Sequence, residues 1–179
     1  MIRLFAALEV PPEIGQGLVR RQQGLPGARW RPVDSLHITL RFFGEIDEAQ
    51  AADLDAELAR VAAPPVEIAL QGVGAKGADH QLHSVWAGVR DSEPLRLLAA
   101  RCETAARRAG LKADPRVFRP HVTLAYLNRH ARSDRTGAWI ANHNLLASPS
   151  WRADGFGLYS SWSSSEGSRY DLERTYRLG

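Results

Sequence analysis

Two tetrapeptides far apart in the chain, His37-Ile-Thr-Leu40 and His121-Val-Thr-Leu124, share one pattern: His, a β-branched residue, Thr, Leu. No repeat of fixed period accompanies them, which argues against a solenoid. The pattern dictates a local conformation. Alternate side chains of a β-strand share a face, with residues i and i+2 about 6.7 Å apart along it. His37 and Thr39 then point to one side while Ile38 and Leu40 point into a core. His121 and Thr123 do the same against Val122 and Leu124. One copy alone reads as an ordinary strand, because Thr favours strands and a sheet histidine is commonly a hydrogen-bonded core residue. Two copies, in a chain with only six His and five Thr, read as two strands, one per lobe, facing a shared cleft.

The rest of the chain alternates strands and helices without a long linker. Residues 2–9 read as a strand, and Pro11-Pro12 opens a helix over 12–24 that ends near Gly24-Leu-Pro-Gly27. Residues 36–43 alternate and are β-branched or aromatic, giving a strand stopped by Gly44. Asp47 caps a helix over 48–62. Residues 66–73 form a strand, and the glycine-rich 72–77 a loop. A strand over 82–89, a helix over 93–109 closed by Gly110, and a strand over 121–127 follow. A short helix over 132–141 and strands over 152–160 and 169–178 complete the reading, with the serine-rich 160–168 as a polar hairpin loop.

Length bounds the architecture. At 179 residues the chain makes one domain, or two small lobes on one core, and needs no disulfide or metal staple. Its 44% hydrophobic and 24% charged residues argue against a disordered tail, a collagen-like chain and a coiled coil. No run approaches the ~20 apolar residues of a membrane helix. The apolar start is short and meets Glu9 and two prolines, so it reads as a strand and not a signal peptide. Cys102 stands alone, which fits a reducing cytoplasm. A net charge of +3 is too weak for coating duplex nucleic acid. The basic residues are 21 Arg and 2 Lys of 23, and the planar Arg fork matches phosphate oxygens. A GC-rich genome accounts for that bias equally well.

Two imidazoles and two hydroxyls match displacement at phosphorus. Nucleophile and leaving group occupy opposite sides of the phosphorus, so one group removes a proton and another donates one. Histidine titrates near neutrality and fills either role. Threonine hydroxyls hydrogen-bond non-bridging oxygens as charge builds. Arg41, Arg116, Arg119 and Arg129 flank the motifs. The scheme requires no metal and no cofactor.

At these residues the chain resembles the 2H phosphoesterase superfamily, named for two H-x-T/S-x motifs, and within it the RNA 2′,3′-cyclic phosphodiesterases, also called bacterial 2′-5′ RNA ligases. The resemblance covers nearly the whole length. Residues 3–11 look like the family's first strand, and Trp30-Arg-Pro-Val-Asp-Ser-Leu-His-Ile-Thr-Leu-Arg-Phe-Phe-Gly-Glu45 resembles its first motif with flanks. Val85-Trp-Ala-Gly-Val89 and Phe118-Arg-Pro-His-Val-Thr-Leu124 resemble later blocks. The resemblance implies a single bilobal α+β domain over 1–179. Two antiparallel sheets would be related by a pseudo-twofold around a central cleft, with helices outside. It implies hydrolysis of RNA 2′,3′-cyclic phosphate ends to 2′-phosphomonoesters. His37 would protonate the departing 3′-oxygen, His121 would activate water, and Thr39 and Thr123 would hold the phosphate. Run backwards with a 5′-hydroxyl, the reaction gives a 2′-5′ linkage.

Two positions depart from that pattern. Relatives place Arg after the second motif and its following small residue, where this chain has Tyr126, and a basic residue before the Val-Trp block, where it has His83. Tyr126 reads either as a base-stacking residue or as a packed strand aromatic. Arg41, Arg116, Arg119 and Tyr126 are the candidate substrate contacts. His80 and His83, with Asp79 as the sole obvious carboxylate, read as solvated loop residues and not as a metal site. The glycine-rich 72–77 lacks the Lys-Ser/Thr of a phosphate loop. The expected partners are RNA ends, such as tRNA fragments or short oligonucleotides, or cyclic nucleotides, met by a monomer that uses no membrane. Two alternatives remain: a phosphodiesterase for a small cyclic nucleotide or ADP-ribose cyclic phosphate, and a non-catalytic RNA-binding module.

Overall fold

The computed structural model describes residues 1–78 and 80–179. In chain order the elements are β1 (Ile2–Glu9), α1 (Pro12–Val19), β2 (Ala28–Trp30), a 3-10 turn (Val33–Ser35), β3 (His37–Ile46), α2 (Glu48–Ala59), β4 (Val66–Ile68) and β5 (Leu70–Ala78). There follow β6 (Gln81–Val89), α3 (Glu93–Arg108), β7 (His121–Leu127), α4 (Ser133–His143), β8 (Trp151–Ala153), β9 (Gly155–Ser164) and β10 (Gly167–Arg177). Two four-stranded sheets dominate, in the orders β10-β9-β1-β3 and β2-β7-β6-β5, and β4 pairs with β8 apart from them. The strand pairs are antiparallel. The architecture is α+β and bilobal.

One motif strand lies in each sheet: β3 at an edge, and β7 between the short β2 and β6. β3 lies beside β1, with His37 opposite Glu9 and Thr39 opposite Ala7. β7 lies beside β6, with His121 opposite Gly88 and Thr123 opposite Trp86. Each sheet also draws strands from both halves of the sequence: β9 and β10 complete the β1–β3 sheet, and β5 completes the β6–β7 sheet. β3 and β7 touch where the sheets meet. On the far side of the motifs Ile38, Val122 and Leu124 are fully buried and Leu40 nearly so. That is the period-2 division the motif requires.

The helices start and stop where their end chemistry dictates. The Asp47 carboxylate accepts from the Gln50 N–H, and the Ser92 hydroxyl accepts from the Leu95 N–H, capping α2 and α3. Gly110, at φ 86°, ends α3 while the Leu111 N–H returns to the Ala106 carbonyl. α2 packs on α3, and α3 on β3. Among the described residues no helix is long and apolar enough to cross a membrane.

Several boundaries differ from those read off the sequence. α1 ends at Val19, and the chain reaches Gly24 through tight turns such as Arg21 N–H to Leu18 C=O. β3 continues through Gly44, whose φ of 79° sits in a bulge opposite Leu4. The serine-rich 160–168 is mostly ladder: Ser160, Ser161, Ser163 and Ser164 of β9 pair with β10. Backbone pairing tolerates serine: Ser160 is buried, its hydroxyl donating to Glu173 and accepting from the Trp162 indole N–H, while Ser163 and Ser164 are exposed. The glycine-rich 72–77 is likewise strand and not loop. Its glycines make room, since a Cβ on Gly74 would fall 2.3 Å from the Trp86 indole. His80, at φ 66°, is exposed in the turn before β6, His83 is exposed on β6 itself and so is a strand and not a loop residue, and Asp79 lies outside the described residues.

Gly74→Ala should therefore destabilise the protein by about 1–3 kcal/mol. A thermal melt, moving about 2–4 °C per kcal/mol at this chain length, reads it. An unchanged midpoint would show that the indole moves aside freely.

Candidate active site

Each motif histidine begins its strand and turns its Nδ1 back onto the chain. His37 Nδ1 lies 2.9 Å from the Ser35 carbonyl oxygen, and His121 Nδ1 lies 2.7 Å from the Arg119 carbonyl oxygen. Both partners sit two residues upstream. A carbonyl only accepts, so each Nδ1 carries the proton, and in a neutral ring Nε2 keeps its lone pair. The two rings thus share one orientation device in two copies. The hydroxyls of Thr39 and Thr123 have no protein hydrogen-bond partner among the described residues, and both side chains are only half-buried.

The rings are seated differently. His37 packs on Phe5 at 4.9 Å between centroids and meets the edge of Tyr170 at 5.1 Å. Tyr159 stacks on the other side of Phe5 at 5.4 Å. Burial holds the His37 pKa down at about 4, and the charges of Arg31 and His121 push the same way against the Ser35 bond. His37 is therefore neutral at pH 7 in the free protein. His121 lies 6.0 Å from the Trp86 indole, which forms the floor of its lobe.

One residue absent from the sequence-derived set stands beside this pair. Arg31, just past β2, is 5% exposed. Its backbone N–H bonds the Leu124 carbonyl at 2.8 Å, so it is fastened to the second motif while preceding the first in sequence. Gln22 Nε2 steadies the same place, donating to the carbonyls of Arg31 at 2.9 Å and Leu124 at 3.2 Å. The Arg31 guanidinium donates to the Ser168 carbonyl at 3.1 Å. It lies 5.6 Å from the Tyr126 ring centre and 5.2 Å from that of Tyr170. The only signal in the sequence was a cation wedged between Trp30 and Pro32.

The sequence-nominated contacts divide. Tyr126 stands at the cleft, 40% exposed, against Arg31. Arg41 is committed elsewhere: it pairs with Glu103, bonds the Phe42 carbonyl, and donates to the Lys112 carbonyl at 2.8 Å. It ties β3 to α3 and to the segment beyond it. Arg116 chelates Asp114 at 2.9 and 2.8 Å and holds that carboxyl down at about 2. Arg119 contributes its carbonyl to His121, and its side chain is exposed and forms no ion pair among the described residues. Arg129 is exposed as well. Among the described residues no group of three or more His, Cys, Asp or Glu could hold a metal ion.

Residues 10–162 match the family model described as the 2′-5′ RNA ligase superfamily. The chain is 30% identical over 131 residues to the RNA 2′,3′-cyclic phosphodiesterase of Archaeoglobus fulgidus, covering 72% of this chain and 74% of that one. It is 34% identical over 128 residues to the protein of that name from Escherichia coli K12, covering 68% and 70%. The crystal structure of E. coli LigT complexed with 3′-AMP shares 26% identity at a TM-score of 0.79, covering 99% of this chain and 98% of that one. A crystal structure described as a phosphoesterase shares 25% identity at a TM-score of 0.81, covering 99% of both chains. With a His-x-Thr strand in each of its two main sheets, and a family match spanning most of its length, the chain belongs to the 2′-5′ RNA ligase superfamily.

Proposed function

We propose that this protein hydrolyses RNA 2′,3′-cyclic phosphate ends to 2′-phosphomonoesters by two-histidine acid–base catalysis, without a metal. The observation that carries the reading is the matched pair of imidazoles whose Nδ1 protons are committed to backbone carbonyls. Each ring then offers one free nitrogen to a ligand between them. Relatives named RNA 2′,3′-cyclic phosphodiesterase support the substrate class.

In the proposed reaction His121 Nε2 removes a proton from water as it attacks phosphorus. The bond from phosphorus to the 3′-oxygen breaks, and that oxygen takes a proton from His37 Nε2. The Thr39 and Thr123 hydroxyls donate to non-bridging oxygens, where negative charge grows. His37 must be cationic to act as the acid, yet in the free protein it is neutral at pH 7. A bound phosphate anion supplies the missing term, since opposite charge within a few ångströms favours the protonated ring. Substrate entry and arming of the acid are then one event. Under the same scheme a 5′-hydroxyl that attacks phosphorus in place of water, losing its proton to His121 as the 3′-oxygen departs, gives a 2′-5′ linkage.

His37→Ala and His121→Ala should each lower kcat about 100- to 10,000-fold. Thr39→Ala and Thr123→Ala should cost less, roughly 1.5–3 kcal/mol of transition-state stabilisation. The product from a cyclic-phosphate-ended oligonucleotide, followed with and without a chelator, is the direct check. A 3′-phosphate product, or activity abolished by chelation and restored by metal, would overturn the scheme. Turnover of cyclic mononucleotides or ADP-ribose cyclic phosphate in preference to the oligonucleotide would shift the substrate and keep the chemistry.

The pH behaviour follows from the direction of the His37 shift. Below about 6.5 the unfolded chain takes up a proton on this ring, while the folded protein resists until about 4. His37 therefore contributes stability above about 6.5 that is lost progressively as pH falls toward 4. Denaturation across that range should show a steeper acid loss in wild type than in His37→Gln. In NMR titrations the His37 ring should titrate near 4 alone and move upward when inorganic phosphate is added.

A further inference from the structure

Arg31 is a buried cation with no anionic partner among the described residues. Salt bridges bind Arg3, Arg41, Arg60, Arg96, Arg116, Arg132, Arg152, Arg169 and Arg174 to carboxylates. Arg31, more buried than any other cationic residue in the described set, has none among the described residues. Its immediate neighbours supply no negative charge. Tyr170 stays protonated, its phenol pushed up to about 12 mainly by burial. Ser168 contributes only a neutral carbonyl. His37 and His121 carry no carboxylate partner among the described residues either. Burying an unpaired charge is costly, and such a charge persists where a ligand completes it.

We propose that Arg31 is the anion clamp of the cleft, donating to the non-bridging oxygens of a phosphoryl group held between the two histidines. The proposal rests on the reading that this cleft takes a phosphate ester. Five N–H donors belong to a guanidinium, and the bond to Ser168 uses one. Tyr126 and Tyr170 fix the orientation of the fork through their ring faces. Arg31 already lowers the basicity of His37, so its charge reaches the ring it would share a ligand with. An anion there relieves that repulsion and satisfies the remaining donors together. Tyr126 belongs to the same device as the surface on which the guanidinium rests. The competing role is a brace between lobes, because Arg31 follows β2 in one sheet and Ser168 lies in β10 of the other.

The test uses inorganic phosphate as the probe, with affinity read by calorimetry and by the ring signals of His37 and His121. Arg31→Met should weaken phosphate at least about 10-fold and lower kcat about 100-fold or more. It should also raise the His37 pKa of the free protein, since a repelling charge is gone. Adding Tyr126→Arg to Arg31→Met returns a guanidinium to the same corner, and should recover at least about 10-fold in both phosphate affinity and kcat. A brace predicts the opposite: a lower melting temperature with phosphate affinity of the folded protein unchanged, and that result would overturn the clamp. If Arg31→Met does not fold, Arg31→Lys keeps the charge and loses the fork. A kcat at least about 10-fold below wild type supports the clamp, and a wild-type kcat overturns it. Wild-type protein that binds phosphate through Arg31 but opens no cyclic phosphate end leaves the clamp standing and removes only the RNA reading.

Discussion

The bond from each histidine Nδ1 to the carbonyl two residues before it is the constraint on which the site depends. It is short-range, so it needs only the local turn into the strand, and it occurs once per lobe. It fixes the tautomer and aims Nε2 along the face that also carries the threonine. Without it a ring at a strand start would rotate about χ1 and χ2 and present either nitrogen. The β-ladder supplies the rest of the placement: β3 is held by β1 and β7 by β6. The sheets exchange strands between the halves of the chain, so neither lobe's sheet is built from one half alone.

The two copies are alike in backbone and unlike in surroundings. Phe5 and Tyr170 close around His37, while His121 stands off the Trp86 indole at a longer distance. A cleft built from repeated units would give two rings of equal basicity. Here the aromatic packing of one lobe lowers the proton affinity of His37. Burial dominates the His37 shift, and the nearby charges add to it.

What the sequence revealed was whatever depends on short-range pattern. Period-2 alternation marks β3 and β7 with the two histidines and two threonines on one face, and Asp47 and Gly110 mark the start of α2 and the end of α3. Composition misled where backbone pairing decided the matter. Glycines 72, 74 and 77 read as a loop but lie in β5, where the Trp86 ring occupies the space a Gly74 side chain would fill and the Gln81–Leu82 backbone the space a Gly77 side chain would fill. Serines 160–164 read as a loop but form ladder with β10. Arg41 was nominated for its position beside a motif, and only the tertiary contact with Glu103 on α3 reveals its engagement. Arg31 was passed over for the converse reason. Its proximity to the second motif depends on β2 pairing with β7, a contact that no local pattern announces.

The cation at Arg31 explains a feature that the histidines alone leave unexplained. The ring proposed as the general acid is kept neutral in the free protein by burial, with the nearby Arg31 charge adding to it. In isolation that looks counterproductive. It follows naturally if the cleft is built around an absent dianion or monoanion: positive groups and buried donors gather without carboxylates, each raising the cost of the empty state. A carboxylate beside His37 would protonate the ring in the free protein, and it would also repel the substrate. The arrangement gives up a ready acid in exchange for a strong preference for an anion, and the anion then restores the proton. Selectivity for a phosphoryl group and readiness for catalysis thus arise from the same electrostatic imbalance, and weakening one of its members should weaken both.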